Sequence, residues 1–281
     1  MCYFIHVKIR ITIDIHFGHN VKFFIFSLLT AYFILFFSSS SYAIEQQKIR
    51  MGYFEIKPHL YKNSGSEKPS GAAIEYFEEM SKEMGYQVEW VGPLAFPRMI
   101  IMGETGQIDG LMTLTDWAKD KFLYPNEPSF TVSSVFVFNA NTPIKKINSI
   151  DDVKGYSVGW IPSAPASQFV IDHSDELDVV YSTKPNWIET YLTRLVAGRI
   201  DILHDLNEFT YSYVAETLGL SDKIKVIKLP EPSQNAYIVF SKETKHAEKL
   251  LKRYNEAAKK LSIDYNELIK KEFELIRKKK I

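Results

Sequence analysis

The 281-residue sequence contains a single cysteine, Cys2. Cys2 lies in an N-terminal segment that we expect to be removed, so the mature chain has no thiol. Disulfide bonds, thiolate metal sites and a cysteine nucleophile are therefore excluded from the mature protein. Cys2 also precedes the apolar run of that segment instead of following it, which speaks against a lipid-anchored form.

An excess of charge of either sign is also missing. The chain has 34 Lys and Arg residues against 34 Asp and Glu residues, so its formal net charge is zero with histidine neutral. Proteins that bind nucleic acid carry a basic surface that neutralises phosphates. We therefore expect no nucleic-acid partner.

Motifs for metal ions, phosphates and nucleophilic catalysis are absent as well. No two histidines of the mature region have His-x-x-x-His spacing, and no glycine-rich phosphate loop occurs. Residues Gly155–Gly159 match Gly-x-Ser-x-Gly, but a nucleophile elbow needs a helix directly after the serine. Here Ser157 lies inside an alternating strand pattern. We expect no cofactor, no metal ion and no catalytic residue.

The first 43 residues have the pattern of a secretory signal peptide. Lys22 precedes an apolar run from Phe23 to Phe37, and a serine-rich stretch ending in Ala43 supplies a small-residue cleavage site. The apolar run is shorter than the roughly 20 residues of a transmembrane helix. We expect cleavage near Ala43 and a periplasmic mature protein, with an uncleaved membrane anchor as the alternative.

One short motif occurs twice. Gly106–Asp109 and Gly198–Asp201 both have the pattern Gly-x-Ile-Asp, and their glycines are 92 positions apart. Each copy follows a helical pattern and opens an apolar stretch typical of a buried strand. The repetition predicts two similar α/β lobes with a cleft between them, in which both aspartates are structural turn residues.

Strand and helix patterns alternate along the mature chain, which predicts an α/β fold of two similar lobes with mostly parallel sheets. Lobe 1 is predicted to comprise residues 44–139 plus 235–281, and lobe 2 residues 140–234. Two hinge crossings are predicted near residues 139–142 and 230–234. The predicted strands are 48–53, 87–91, 108–114, 129–139, 156–161, 179–183, 200–204, 224–229 and 236–241; the predicted helices are 72–84, 97–104, 149–154, 187–197, 209–218, 245–261 and a last one ending near residue 280.

From Lys48 to Glu274 the ordered motifs resemble the family 3 extracytoplasmic solute-binding proteins. These motifs are the two Gly-x-Ile-Asp turns, the Asp-Asp-Val-Lys-Gly-Tyr-Ser-Val-Gly stretch that begins at Asp151, and the Ala-Tyr-Ile-Val-Phe-Ser-Lys strand that begins at Ala236. The resemblance implies the type II periplasmic-binding-protein fold, whose lobes close on a small polar solute, such as an amino acid. It also implies an ABC permease in the inner membrane as partner, and we expect a monomer.

The resemblance also implies an arginine, in a Thr-x-x-Arg element after the third strand, that binds the carboxylate of an amino acid. Here Thr115 is followed by Asp-Trp-Ala-Lys-Asp-Lys, and no arginine lies between Arg98 and Arg194. The missing charge could come from Arg98, Lys119 or Lys121. A lysine cannot supply the bidentate fork of a guanidinium.

Other candidate ligand residues are implied at strand ends. Asp205 could accept the amino group of the ligand, although Leu206 has the expected spacing and Asp205 could instead cap a helix. Tyr53 and Phe54 are candidates for stacking on the ligand, but adjacent strand residues face opposite sides, so one of them belongs to the core. The full candidate set is Tyr53, Phe54, Arg98, Thr113, Thr115, Lys119, Ser163 and Asp205.

Two other functions remain open at this point. Relatives of this fold include sensor domains and periplasmic dehydratases. Because the chain ends shortly after its last helices, we expect no fused kinase, cyclase or transglycosylase domain, which leaves a ligand-sensing partner of a separate receptor. A dehydratase-like enzyme would need a cleft carboxylate or amine, for which Glu55, Lys119 and Glu127 are candidates.

Overall fold

The computed structural model describes residues 47–63, 65–160, 166–181 and 187–279. The strands are β1 (Gln47–Gly52), β2 (Tyr61–Lys62), β3 (Pro69–Ser70), β4 (Tyr86–Val91), β5 (Gly110–Leu114), β6 (Phe122–Leu123), β7 (Phe130–Val132), β8 (Val135–Asn139), β9 (Ser157–Trp160), β10 (Asp178–Tyr181), β11 (Ile202–Asp205), β12 (Ile224–Lys228) and β13 (Gln234–Ser241). The helices are α1 (Ala72–Met84), α2 (Phe96–Glu104), α3 (Gln168–Asp172), α4 (Trp187–Val196), α5 (Thr210–Leu218), α6 (Ala247–Lys260) and α7 (Tyr265–Lys279). The predicted signal peptide and Ser163 lie outside the described residues.

The strands form two large sheets, one for each lobe. The first has the order β4-β1-β5-β13-β6, with β7 paired to β13, and the second has the order β10-β9-β11-β8-β12. In each sheet the first three strands of that order are parallel, and a strand that enters from the other lobe runs antiparallel to them. The prediction of a two-lobed α/β fold is confirmed, with antiparallel strands at one side of each sheet.

Local sequence accounts for the main helices. Apolar residues of α1 recur every three or four positions, and they pack on the first sheet. Gly85 ends this helix in the left-handed conformation with φ of 78°, and Gly219 ends α5 in the same way with φ of 72°. Pro97 lies in the first turn of α2, where its missing N–H costs no hydrogen bond.

The strand predicted over residues 129–139 is divided between the two sheets. It breaks at Ser133, whose N–H donates to Glu208 Oε2 at 2.6 Å, and at Ser134, whose carbonyl accepts the N–H of Leu229. The β8 strand lies in the second sheet, so the assignment of residues up to 139 to lobe 1 is wrong there. Apolar residues stand on both sides of Ser133 and Ser134, and β8 is buried on both faces, so the two strands were predicted as one.

The crossing at Ser133 is bound to the second crossing of the chain. Ser133 Oγ lies 3.0 Å from Ser233 Oγ, and Lys228 Nζ donates to Ser133 Oγ at 2.9 Å. Lys228 also forms an ion pair of 3.3 Å with Glu208. The two connections between the sheets are therefore adjacent and hydrogen-bonded to each other.

The last helix, α7, packs on both lobes. Its first turn carries Tyr265, which is buried in the core of the first lobe with its ring 4.0 Å from that of Phe130. Its final turns carry Ile276, which is buried in the core of the second lobe, and Arg277, whose Nε donates to Glu216 of α5 at 2.7 Å. The helix is thus a third connection between the lobes.

Two shorter elements differ from the predictions. The helix predicted over residues 149–154 is a 3₁₀ turn, Ile150–Asp152, with a reciprocal capping box between Ser149 and Asp152. Helix α3 was not predicted, because its five residues are too few to show helical periodicity. Within the described part of the chain, no helix has the length and apolar character needed to cross a membrane.

Candidate functional site

Contacts between the lobes are made by residues that follow the carboxyl ends of strands. Lys57, after β1, forms an ion pair of 3.3 Å with Glu189 at the start of α4. His59, also after β1, is hydrogen-bonded to Asn207, which follows β11. The carboxyl ends of β1 and β11 therefore face each other. In α/β sheets this edge is where ligands bind.

The repeated Gly-x-Ile-Asp motif forms the same turn in both lobes. Gly106 and Gly198 have φ of 68° and 65°, in the left-handed region that glycine adopts without strain. Asp109 Oδ2 accepts the N–H of Arg50 in β1 at 2.8 Å, and Asp201 Oδ2 accepts the N–H of Ser157 in β9 at 2.9 Å. Both aspartates are structural, as the repeat predicted.

Four residues after each aspartate, at equivalent positions, stand Thr113 and Asp205. Both are at the carboxyl end of a strand next to β1 or β9, and both have a buried side-chain oxygen with no hydrogen-bond partner, Oγ1 and Oδ2 respectively. Thr113 has φ of 60°, an uncommon conformation for a β-branched residue, next to a bulge in the pairing of β5 with β13. Strained residues and bulges recur at binding sites. The repeat thus identifies one polar position in each lobe.

Asp205 is the acidic group of this site. Its Oδ1 accepts the N–H of Asn207 at 3.1 Å, while its Oδ2 has no solvent contact. Burial raises the pKa of Asp205 to about 7, although the nearby Thr210 hydroxyl and two backbone amides act in the opposite direction. The carboxyl group is therefore harder to ionise than an exposed aspartate, and a cation beside it would favour the ionised form.

Hydroxyl groups and an indole ring lie near Asp205. Tyr211 is buried, and its hydroxyl has no hydrogen-bond partner within the described ranges. The pKa of Tyr211 is raised far above its ordinary value, by burial first and then by the charge of Asp205. The Trp187 ring meets that of Tyr211 edge to face at 6.4 Å. The second lobe therefore offers hydrogen-bond acceptors and aromatic surface.

Aromatic side chains form the corresponding edge of the first lobe. Phe54 is half-buried and packs at 5.2 Å on Phe96, which packs at 6.2 Å on the exposed ring of Trp117. Tyr53 is instead buried in the core, with its ring 6.2 Å from that of Trp90. Of the two adjacent aromatics, Tyr53 is the core residue and Phe54 is the more accessible one.

The basic candidates differ in how they are engaged. Lys119 is exposed, forms an ion pair of 3.0 Å with Asp116 and lies 5.9 Å from the ring of Tyr237. Lys121 is paired with Glu104 at 2.6 Å. Arg98 is exposed at the start of α2, with neither an ion pair nor a hydrogen bond to another described residue.

The remaining candidates give less information. Thr115 is half-buried, and its carbonyl accepts the hydroxyl of Tyr124 at 2.6 Å. Ser163 is outside the described residues. Trp160, the last residue of β9, is buried and stacks at 4.2 Å on His204.

The first amides of α3 are bonded within the protein. Glu231 Oε2 accepts the N–H of Phe169 at 2.8 Å, and Ser167 Oγ accepts that of Val170 at 3.2 Å. The N–H of Ser167 donates to Nε2 of His204 at 3.3 Å. Burial lowers the pKa of His204 to about 3, so the ring is neutral and its Nε2 can accept this bond.

Sequence reasoning missed several residues of this region: Lys57, Glu189, Thr210, Tyr211 and Glu231. Lys57, Thr210 and Tyr211 had a usable signal, because each closely follows a strand end. The described residues contain no group of three or more His, Cys, Asp or Glu side chains arranged to bind a metal ion.

Comparison with known proteins identifies relatives of the chain. Residues 49–274 match the model of the bacterial extracellular solute-binding proteins, family 3. The probable ABC transporter extracellular-binding protein YckB of Bacillus subtilis is 26% identical over 165 residues, which are 57% of this chain and 52% of YckB. The chain thus aligns with about half the length of this curated relative.

Solved structures share the fold at low identity. The amino acid ABC transporter substrate-binding protein AbpA of Streptococcus pneumoniae, bound to L-arginine, superposes with a TM-score of 0.66 at 16% identity, covering 82% of this chain and 95% of AbpA. The ancestral amino-acid-binding protein AncCDT-1, a precursor of cyclohexadienyl dehydratase, gives 0.64 at 20% identity, with coverages of 82% and 96%. The match over residues 49–274 shows that the chain belongs to the family 3 bacterial extracellular solute-binding proteins.

Proposed function

We propose that this protein captures a small polar solute, an amino acid or a related compound, in the cleft between its lobes and presents it to an ABC-type transporter. In this proposal the chain is exported, loses residues 1–43 near Ala43, and acts as a periplasmic monomer. The observation that carries the proposal is the pair of unpartnered buried oxygens, Thr113 Oγ1 and Asp205 Oδ2, at equivalent strand ends. A buried polar atom without a partner costs free energy, which a bound solute would recover.

Each candidate residue has a role in this proposal. Asp205 accepts a hydrogen bond from the solute, while Thr113 and Thr115 contribute hydroxyls from the first lobe. Phe54 packs against the apolar part of the solute. Arg98 and Lys119 supply positive charge at the rim, and Ser163 adds a hydroxyl from the second lobe. Closure of the lobes about Ser133 and Ser233 would remove the solute from water.

Ligand-dependent thermal stabilisation of the purified mature protein tests the proposal. A solute that binds only the folded state raises the free energy of unfolding, by about 2.7 kcal/mol at a concentration a hundred times Kd. The melting temperature therefore rises with solute concentration. The panel comprises amino acids, amines, organic acids and short peptides. A rise with a subset of related compounds supports the proposal, and no rise with any member contradicts it.

One observation favours an enzyme as the second candidate. A buried carboxyl group with a pKa near 7, as burial gives Asp205, suits general acid–base catalysis at neutral pH. A dehydratase-like reaction would use Asp205 in that role. Incubation of stabilising compounds with the protein alone, followed by mass spectrometry, separates the two functions. Unchanged compounds favour capture, and products that disappear with Asp205→Asn favour catalysis.

The transporter role is separated from a sensory role by the binding partner. If a permease and an ATPase are encoded beside this protein, reconstitution with them should give solute uptake that depends on this protein. Stable capture of a receptor ectodomain, with no effect on uptake, would favour a sensory role instead.

A further inference from the structure

One buried histidine, His59, lies directly in the contact between the lobes. The loop that carries it is fixed to the first lobe, because the His59 carbonyl accepts the N–H of Ala73 in α1 at 3.0 Å. The His59 ring stacks on the rings of Phe130 and Tyr265, with centroid distances of 5.2 and 5.7 Å. Its Nδ1 lies 2.6 Å from the hydroxyl of Tyr265. These contacts hold the ring in place from the side of the first lobe.

The second lobe covers the other ring nitrogen of His59. Nε2 is hydrogen-bonded to Nδ2 of Asn207, and the ring of Phe209, 6.0 Å away, packs on the core of the first lobe. Both residues belong to the turn between β11 and α5 that directly follows Asp205. The N–H of Asn207 donates to Asp205 Oδ1 at 3.1 Å. One short turn therefore connects the candidate site to His59 of the opposite lobe.

The hydrogen bonds of Asn207 determine which nitrogen of His59 carries a proton. Asn207 Oδ1 accepts the N–H of Phe209 at 2.8 Å, so Nδ2 faces the histidine ring. An amide nitrogen only donates, and Nε2 must therefore be unprotonated and accept this bond. Nδ1 then carries the proton and donates to the Tyr265 hydroxyl. A second proton, on Nε2, would face the donor of Asn207, so the protonated ring cannot keep this bond between the lobes.

Opening of the lobes would change the surroundings of His59 but not those of the other buried histidine, His204. Burial lowers the pKa of His59 to about 4. Separation from Asn207 and Phe209 would return Nε2 to water and bring the pKa back toward its ordinary value of 6.5. His204 is equally buried, but all of its hydrogen-bond and ring partners lie in the second lobe: Val135, Phe136, Trp160 and Ser167. Closure therefore leaves the burial of His204 unchanged.

We infer that His59 is a pH-sensitive latch between the lobes: its neutral ring holds Asn207 of the second lobe, and its protonation opens the cleft. His59 acts on the candidate site through Asn207 and is therefore a positioning residue. Uptake of a proton by the open form alone should raise the ratio of open to closed protein about tenfold between pH 7.5 and pH 5.5. The release of solute in acid rests on the proposed function, whereas the opening itself does not.

Other titratable groups surround His59, and Asp205 also takes up protons in this pH range. Burial raises the pKa of Asp205 to about 7, so its charge changes between pH 7.5 and pH 5.5. A comparison of the wild type with a His59 variant removes this contribution, because Asp205 is present in both. The same holds for the remaining groups on the elements around the ring: Lys57 and Tyr61 of its own loop, Tyr76 of α1, Glu208 before α5, Tyr213 of α5, and Tyr265 and Glu272 of α7.

Double electron–electron resonance on the ligand-free mature protein tests the latch. The sequence after Ala43 has no cysteine, so Asp120→Cys and Asp172→Cys place one spin label at an exposed position of each lobe. We expect the population with the longer distance between the labels to rise at pH 5.5, with an open-to-closed ratio about ten times that at pH 7.5. His59→Gln should abolish this rise and keep the lobes closed at pH 7.5, because a glutamine amide can bond to Asn207 and does not titrate.

Two further variants separate the latch from general effects of acid. Asn207→Asp places a carboxylate against Nε2 of His59, which favours the protonated ring, so the lobes should stay closed at pH 5.5. His204→Gln removes the buried histidine whose partners all lie in one lobe, and it should keep the response of the wild type. Circular dichroism at both pH values establishes that each variant is folded.

Several outcomes would overturn the inference. Equal distance distributions of the wild type at both pH values would mean that the contact of His59 with Asn207 lies on the axis of rotation. Opening in acid that persists in folded His59→Gln or Asn207→Asp, or that disappears in His204→Gln, would show that another group causes it.

The thermal panel, repeated at pH 5.5, separates the latch from solute capture. A compound that stabilises the protein at pH 7.5 should lose more of its effect in acid with the wild type than with His59→Gln. An equal loss in both proteins overturns the role of the latch in release and leaves capture intact. If no compound of the panel stabilises the protein, the proposed function fails, and the label distances still decide whether His59 opens the lobes.

Discussion

The two copies of the Gly-x-Ile-Asp turn have the same backbone but different surroundings. Asp109 is buried, with Oδ1 bonded to Arg50 Nη2 at 2.8 Å and to the Thr244 hydroxyl. Asp201 is exposed and is bonded to the amide and hydroxyl of Ser157. Burial alone would raise the pKa of Asp109, but the bonds from Arg50 and Thr244 outweigh burial and lower the pKa. One turn thus depends on an ion pair and the other on neutral donors.

The two lobes also differ four residues after each turn aspartate, at positions that belong to the candidate site. Thr113 and Asp205 are equivalent, yet one is neutral on a distorted strand and the other is acidic on a regular strand. The turns preserve the scaffold of each lobe, while the strand ends carry different chemistry. Duplicated architecture therefore points to the candidate site, and the two copies differ there in charge.

Removing the two turn aspartates should produce the largest difference between the lobes. Asp109→Ala leaves Arg50, its amide and Thr244 without their acceptor, and we expect the free energy of unfolding to fall by about 3 to 4 kcal/mol. Asp201→Ala loses only exposed bonds and should cost about 1 kcal/mol. Urea unfolding of both variants measures the difference. Equal losses would show that the two turns are energetically alike.

Asp205→Asn should change the pH dependence of stability. The folded pKa of Asp205 is about 7, above the ordinary value of 3.8, so the folded state holds an extra proton between these values. Stability from this group is present below pH 4 and is lost as pH rises to about 7. At pH 8 the ligand-free Asn variant should therefore be more stable than the wild type, by about 2 to 3 kcal/mol.

Thr113→Val is the matched control for this measurement, since it removes the equivalent oxygen without a titratable group. The buried rings of His59 and His204, whose pKa values burial lowers to about 4 and about 3, destabilise the fold in acid. Only the difference between variant and wild type isolates Asp205. If the stability difference between Asp205→Asn and the wild type were the same at pH 4 and at pH 8, the folded pKa of Asp205 would not be raised.

The turn glycines should differ in their tolerance of a side chain. Both have positive φ, so alanine costs about 1 kcal/mol at either position. At Gly106 the added Cβ would lie 3.0 Å from the carbonyl oxygen of Glu243, whereas at Gly198 no atom lies within 4 Å. We expect Gly106→Ala to cost about 2 kcal/mol and Gly198→Ala about 1 kcal/mol. Thermal melting of both variants tests this prediction. A greater loss of stability for Gly198→Ala than for Gly106→Ala would contradict it.

The contact between the lobes should contribute least to stability. Lys57 and Glu189 are both partly exposed, and such ion pairs contribute about 0.5 kcal/mol or less. Lys57→Gln should change the free energy of unfolding by no more than about 0.5 kcal/mol. The free energy of unfolding of the variant should also depend less on salt concentration than that of the wild type. A loss of more than 1 kcal/mol would mean that the lobes depend on each other for stability more than their separate cores suggest.

Much of the fold was predictable because local patterns determine it. The α1 helix has the predicted bounds, Ala72–Met84, since its apolar spacing and Gly85 define both ends. The break at Ser133 was missed although two serines, Ser133 and Ser134, interrupt the apolar pattern there. A pair of serines does not by itself end a strand, and the bonds that define the break join Ser133 and Ser134 to the distant residues Glu208 and Leu229. Helix α3 was missed because it is shorter than two turns.

The candidate site was predictable only as a set of strand ends. Thr113 and Asp205 follow from the repeat, since strand ends are where an α/β sheet presents its polar groups. The ion pair of Lys57 with Glu189 joins residues 132 positions apart, and no local pattern relates them. The burial of Tyr53 instead of Phe54 depends on packing against Trp90, which alternation alone cannot assign.

The position of α7 limits how the lobes can move. Tyr265 at one end is stacked on Phe130, and Ile276 with Arg277 at the other end is packed on the second lobe. A rotation about Ser133 and Ser233 must therefore slide the second lobe along the last turns of this helix or bend the helix. We expect the α7 contacts with α5 to limit the opening of the lobes, so shortening the helix from its end should widen the range of interlobe angles.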